Sequence, residues 1–262
     1  MTSHIYYSLI SGIFIGGIAG YLGTLMLLKK MTVAVDPLSH FVLPGVAIAL
    51  LYGFDPSIGA FASILLGVVL VWLFETKTKL PTETLIAVLF TTGVAIALMV
   101  AKSDSLEEIF TGDITRIGPI STAVVIIFST LIFFALRKVY RKIILIEISE
   151  DLAVMEGINI KKYLLIYLIS LALIVALEVK IVGGLMTAAL IAVPAVTSRM
   201  ICRNLNQYIS FAVILGMLFA VVGIVLSKVT AEPAGILITL SATLTFLGVL
   251  FFKSRRLANE AN

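Results

Sequence analysis

The chain is poor in the residues that most protein chemistry uses. Among 262 residues there is one cysteine, Cys202, and there are two histidines, His4 and His40. A single cysteine excludes a disulfide framework and any C-x-x-C site. With two histidines and no H-E-x-x-H pattern, little remains from which to build a hydrolytic metal centre. The phosphate loop G-x-x-x-x-G-K-[ST] is missing as well: "GGIAGYLGT" (Gly16 to Thr24) is glycine-rich but has no lysine after it. The chain is therefore not expected to hydrolyse ATP or to be an enzyme by itself. Charge is also scarce, at 13%, where soluble domains carry about 25%. What is abundant is apolar side chain: 60% of residues are hydrophobic and the mean hydropathy is +1.15. Burying that much apolar surface needs lipid as a solvent, so the sequence specifies a polytopic membrane protein.

A membrane helix needs about 20 mostly apolar residues. The segments 5–28, 32–53, 57–74, 82–101, 118–136, 164–179, 181–198, 208–227 and 233–252 qualify. The seventh follows the sixth so closely that eight or nine spans are expected. A membrane β-barrel is excluded, because its strands alternate apolar and polar residues and "AVVIIFSTLIFFAL" (Ala123 to Leu136) does not. The first apolar segment lacks a basic n-region and is long enough to span, so it reads as a helix and not a signal peptide. The connecting loops are short, and residues 1–262 read as one all-α transmembrane domain.

The basic pI, near 9.1, would suit a nucleic-acid partner, but the placement of charge gives another reason for it. With the N-terminus outside and nine spans, the inner loops hold Lys29, Lys30, Lys77, Lys79, Arg137, Lys138, Arg141, Lys142, Lys161, Lys162, Arg199, Arg203, Lys253, Arg255 and Arg256, fifteen of nineteen basic residues. Only Lys102, Arg116, Lys180 and Lys228 fall outside. This is the positive-inside bias, and it removes nucleic acid as a partner. Gly12, Gly16 and Gly20 in the first span, and Gly59, Ser63 and Gly67 in the third, form small-residue seams. Such seams allow close helix packing in lipid.

Within 32–53 the sequence places Asp36 and His40 one helical turn apart, with Pro37 and Pro44 beside them. Asp36-Pro37 fits a helix start, with Asp as cap and Pro at the first position. The i, i+4 spacing also sets carboxylate and imidazole on one face, and these are ligand types for first-row divalent cations. Ionisable residues inside a span mark functional sites by default. A second interrupted span, "VGGLMTAALIAVPAVTSRM" (Val182 to Met200), carries Pro194 in its interior, and Gly/Pro-broken spans point to a transport pathway. Glu232, in "KVTAEPAGILITL", stands at the outer mouth of the last span as either an entry carboxylate or a helix cap.

The longest polar stretch runs from Arg137 to Tyr163, with a surface segment at about 143–162. Ser149 can cap a short helix whose first turn holds Glu150 and Asp151. Leu152, Met155 and Glu156 follow, and Gly157 is a natural stop. Two readings stand for such a helix: a plain interfacial segment, or a handle gripped by a cytosolic engine.

These three segments together resemble the permease subunits of ABC importers for zinc, manganese or iron. "KKMTVAVDPLSHFVLPGVAIA" is similar to that family's basic pair, D-x-x-x-H and L-x-G-V-A run, and "VGGLMTAALIAVPAVTSRM" to its G-x-L-L-x-x-A-L-L-x-x-P-A-A-x-A motif. "ISEDLAVMEGINIKKY" is similar to its D-x-x-x-A-x-x-x-G-I segment. The resemblance covers essentially the whole chain. It implies a type II ABC importer bundle in a prokaryotic cell membrane, working as a homodimer around one pathway. It implies ATP-binding cassette ATPase subunits below and an extracytoplasmic metal-binding protein above. No permanently bound cofactor is implied; the divalent ion is cargo and the ATP is the partner's. By position, Asp36 and His40 would touch the ion, and 149–157 would couple to the ATPase. Glu178 and Lys180 depart from the more neutral family pattern, so ion preference is not carried over. The alternatives are a permease for a metal chelate of siderophore or cobalamin type, and a stand-alone secondary transporter. The first gives no need for the Asp36/His40 pair. The second would need more intramembrane carboxylates than this chain holds.

Overall fold

The computed structural model describes residues 2–100, 118–182 and 187–260, and every regular element in them is helical. In chain order these are α1 (Thr2–Leu28), a 3₁₀ turn (Thr32–Ala34), α2 (Val35–Ser39), α3 (Val42–Tyr52), α4 (Pro56–Thr78) and α5 (Thr82–Val100). After them come α6 (Pro119–Ile148), α7 (Glu150–Met155), α8 (Ile160–Val182), α9 (Thr187–Ile201), α10 (Leu205–Thr230) and α11 (Ala234–Glu260). Among the described residues eight spans are long and apolar enough to cross a membrane, α2 and α3 together making one of them. The expected seventh span, 181–198, emerges as the fifteen-residue α9. At about 1.5 Å per residue it falls short of a bilayer core of about 30 Å. Residues 183–186, with Gly183 and Gly184, and the outer-loop charges Lys102 and Arg116 lie outside the described residues.

The helices differ in how far they are enclosed. In α1, 78% of the spanning window is buried, against 17% in α11 and 22% in α4 and α5, so α1 runs through the centre and the others face outward. The small-residue seams account for this. A Cβ on Gly16 would fall on the Gly216 carbonyl of α10, and one on Gly216 would fall on the Gly16 carbonyl. Gly20 meets the Ala212 carbonyl in the same way, and Gly23 meets that of Ile191 in α9. The second seam joins α3 to α4 through reciprocal contact of Gly45 and Gly59, with Gly67 against the Phe41 ring. Lipid supplies no hydrophobic force between helices, so backbone-to-backbone approach is what holds this bundle together.

Side-chain bonds gather the basic helix ends at one end of the bundle. Lys29 pairs with Glu147. Lys142 Nζ donates to the Tyr163 hydroxyl at 2.7 Å, and the Trp72 indole N–H to the Lys161 carbonyl at 2.9 Å. Lys253 Nζ donates to the Met200 carbonyl at 2.9 Å. The Tyr208 hydroxyl, at the start of α10, reaches the Thr24 carbonyl near the end of α1 at 3.4 Å, and Ser198 of α9 donates to the Tyr208 carbonyl at 2.7 Å. The tertiary structure thus places the basic ends of α1, α4, α6, α8, α9 and α11 on one side, as the charge bias requires.

Candidate functional site

The span carrying Asp36 and His40 is broken, and Pro44 explains where. A proline ring clashes with the carbonyl four residues earlier and offers no N–H to it. For Pro44 that carbonyl is His40's, which accepts instead from the Leu43 N–H at 3.0 Å. The chain turns at His40 and Phe41, and α3 starts afresh at Val42. Pro44 then sits in the first turn of α3, where no helical amide bond is required. The Ser63 hydroxyl of α4 donates to the Phe41 carbonyl at 2.6 Å, satisfying the backbone at the break. Replacing Pro44 by alanine is expected to let the helix run through. Thermal stability of the detergent-solubilised protein should be equal or higher, while transport falls several-fold; unchanged transport would show that the break has no role in it.

Asp36 lies inside α2, not at its cap. Ala34 holds the cap position with no side-chain bond, and Asp36 falls in the first turn with its side chain exposed. Its backbone carbonyl accepts from the Ser39 hydroxyl at 2.7 Å. His40, half-buried, ends α2 with right-handed helical backbone angles. The turn therefore keeps the two residues on a nearly helical path despite the break. The imidazole stacks on Phe90 of α5, with ring centroids 5.3 Å apart, and this limits its rotation. Nothing in the sequence pairs residue 40 with residue 90; only the packing of α3 against α5 does.

The other predicted residues are distributed elsewhere. Pro194 is buried inside α9, which stays helical through it; Thr197 donates to the Val193 carbonyl at 2.7 Å in the same turn. Glu232 is exposed in the turn between α10 and α11, its carbonyl accepting from the Ser227 hydroxyl at 2.6 Å. Helix α11 starts at Ala234, two residues later. Among the described residues no three His, Cys, Asp or Glu side chains gather into an ion-holding group. A single chain therefore presents a carboxylate and an imidazole, and Glu232 does not join them. Residue 178 carries more than sequence reasoning gave it. Glu178 in α8 is fully buried, and neither carboxylate oxygen has a hydrogen-bond partner among the described residues. A glutamate inside an apolar run was the available signal.

The surface segment folds as its residues dictate. Ser149 Oγ accepts from the Leu152 N–H at 3.3 Å, capping α7, with Glu150 and Asp151 in the first turn. Gly157 closes the helix at φ +72°, a conformation that suits glycine. The Gly157 and Ile158 amides return to the Val154 and Ala153 carbonyls, each at 2.9 Å. Only Ala153 is buried; Leu152, Val154 and Met155 are 51%, 61% and 83% exposed. An acidic-edged knob of three bare apolar side chains, with Glu156 beside it, projects from the basic end of the bundle.

Comparison with known proteins gives a consistent result. The sequence profile of the ABC 3 transport family matches residues 1–253. The high-affinity zinc uptake system membrane protein ZnuB of Haemophilus influenzae is 30% identical, with 97% of this chain and all of that protein aligned. The manganese import system permease protein ScaB of Streptococcus gordonii is 28% identical over 94% of this chain and 89% of its own length. Among solved structures, PsaBC of Streptococcus pneumoniae in complex with Fab superposes with a TM-score of 0.82 at 25% identity. That match covers 97% of this chain and 94% of the other. An inward-facing metal-chelate type ABC transporter shares the fold, with a TM-score of 0.71 at 17% identity over 93% of this chain and 84% of its own.

Proposed function

Since this chain belongs to the ABC 3 transport family, and so is a multi-pass membrane subunit of an ABC uptake system, we propose that it forms the pathway by which divalent metal ions cross the membrane. The ion would be zinc, manganese or ferrous iron, as in the uptake systems of its relatives. Two copies would enclose the pathway, driven by a separate ATPase and supplied by an extracytoplasmic metal-binding protein. The observation that carries this reading is Asp36: a carboxylate exposed within a membrane-spanning segment, one turn from an imidazole at a helix break. Asp36 is the second residue of the span Val35–Tyr52, and an ionised side chain within a span is costly against lipid. Facing water or a partner copy instead of lipid removes that cost.

One carboxylate and one imidazole per chain are a sparse ligand set, and a pair of chains doubles it. A closed cage of four ligands from one chain is the design of structural zinc sites, which hold their ion; cargo must leave. Zinc, manganese and ferrous iron accept the same ligand types, so the pair supports a transition-metal pathway without choosing among them. The chelate alternative draws on likeness of fold alone, and a bulky chelate gives the Asp36/His40 pair no task.

The test of the whole assembly is gentle solubilisation, capture by a C-terminal tag, and identification of what co-purifies. A stoichiometric subunit bearing a phosphate loop is expected. A chain that comes out alone and still transports when reconstituted would overturn the ABC assignment of energy. The contact itself is tested on α7. Leu152→Glu with Met155→Glu changes two exposed side chains outside the buried core. The doubly substituted permease is expected to remain folded and membrane-inserted while losing both the co-purifying ATPase and uptake. Retention of the ATPase at wild-type stoichiometry would remove α7 as the docking element.

A further inference from the structure

On the face formed by α1, α6 and α10 two cavities adjoin, both lined in part by Phe133 and Val213. The upper one, about 360 Å³, is walled by Ile13, Phe14, Gly17, Thr130, Phe134 and Met217 and is almost wholly apolar. The lower one, about 740 Å³, changes character: Arg137 and Arg141 line it with Tyr21, Asn206 and Ser210. We propose that this cleft is a binding site for an anionic phospholipid of the cytoplasmic leaflet, its phosphate on Arg137 and Arg141 and an acyl chain in the apolar half.

The depth fits. Arg137 lies eighteen residues beyond Pro119, the first residue of α6, or ~27 Å along the helix. That is the inner edge of a hydrocarbon layer of about 30 Å. Helix α10 begins at Leu205 on the same basic side, so Asn206 and Ser210 stand at the same boundary. Arg137 and Arg141 are four apart and share a helix face. Guanidinium groups bind phosphate oxygens in a bidentate fork. No carboxylate lines the lower cavity, and among the described residues neither arginine forms an ion pair. Basic pockets between helices on the cytoplasmic side recognise anionic headgroups in just this way.

Other occupants fit less well. A free anion would use the arginines but not the apolar half above them. A second copy docked on this face would bring four guanidinium groups together with no acid between them. The face is also distinct from the one that carries the candidate pathway, since Asp36, His40 and Phe90 belong to α2, α5 and the turn between α2 and α3.

The experiment uses the assembled complex, delipidated in detergent and titrated with phosphatidylglycerol or phosphatidylcholine, with bound lipid counted by native mass spectrometry. Wild type is expected to prefer phosphatidylglycerol by about tenfold or more. Arg137→Gln with Arg141→Gln should bring that preference down to the phosphatidylcholine level. Lys77→Gln with Lys161→Gln, which removes the same charge elsewhere on the basic end, should leave it intact. Thr130→Phe, on the exposed wall of the apolar half, should weaken phosphatidylglycerol with the arginines untouched. Equal binding of the two lipids by wild type, or wild-type binding by the arginine double variant, would overturn the proposal. Undiminished binding by Thr130→Phe would reduce the site to a headgroup anion pocket and likewise overturn it. Loss of dimer without loss of lipid in the arginine variant would assign the face to a second copy instead.

Discussion

Replacing His40 by alanine is expected to leave the assembled permease in the membrane and to reduce metal uptake by more than about tenfold, since even groups that merely support a metal ligand cost 10–100-fold when removed. The imidazole is half-buried and stacked on Phe90, so its loss trims packing at the edge of α5 without opening a large core cavity. The backbone bonds at the break belong to His40's amide and carbonyl, which alanine keeps. The folded state should therefore persist while the ligand disappears. Asp36→Asn, which keeps size and removes charge from an exposed position, is expected to give the same loss with even less effect on stability. Uptake of radiolabelled or fluorescently reported metal into proteoliposomes containing the full complex is the direct measure, read beside the ATPase rate. Normal uptake by both variants would take the pair out of the pathway and with it the main support for the proposed cargo. Loss in one variant only would assign the contact to that residue alone.

The second large effect is on folding. A methyl group at Gly16 would fall on the Gly216 carbonyl, a backbone atom that cannot swing aside, and on the central seam of the bundle. Gly16→Ala should force α1 and α10 apart. Overpacking a well-packed interior costs about 1–3 kcal/mol, and a backbone obstacle places this case at the upper end. The expected outcome is a much smaller yield of folded protein and a clearly lower melting temperature in detergent. Two other glycines make the comparison internal to the chain. At Gly12 the added methyl meets the far end of the Ile224 side chain, which can yield, so Gly12→Ala should be milder. At Gly248 nothing lies within 4 Å, so Gly248→Ala should be neutral or slightly stabilising through helix propensity. If all three behave alike, the seam is not what holds α1 at the centre.

The limits of reading the sequence can be seen at particular residues. Helical class, membrane residence and the side on which the loops lie follow from hydropathy and from lysine and arginine placement. These are properties of each segment against its solvent and need no knowledge of neighbours. Helix α7 was readable for the same reason, since Ser149, Glu150, Asp151 and Gly157 act on their own backbone within a turn or two. At residue 36 the local reasoning left capping open, and the structure placed the helix start two residues earlier, because the 3₁₀ turn before α2 already orders the chain. For 181–198 the run of apolar residues could not tell a span from a shorter helix.

What the sequence by itself determined is the solvent of each segment, the gathering of basic residues at alternate helix ends and the caps of α7, and it proposed Asp36 and His40 as a ligand pair. All are set by side-chain type and by spacing along one chain. The tertiary structure decided which glycines meet which carbonyls, that His40 leans on Phe90, that Glu178 is sealed without a hydrogen-bond partner among the described residues, and that Arg137 and Arg141 stand below an apolar cleft. Those depend on distances between helices far apart in sequence. In a bilayer, where apolar residues face lipid and protein alike, periodicity does not say which face turns inward, and only packing does.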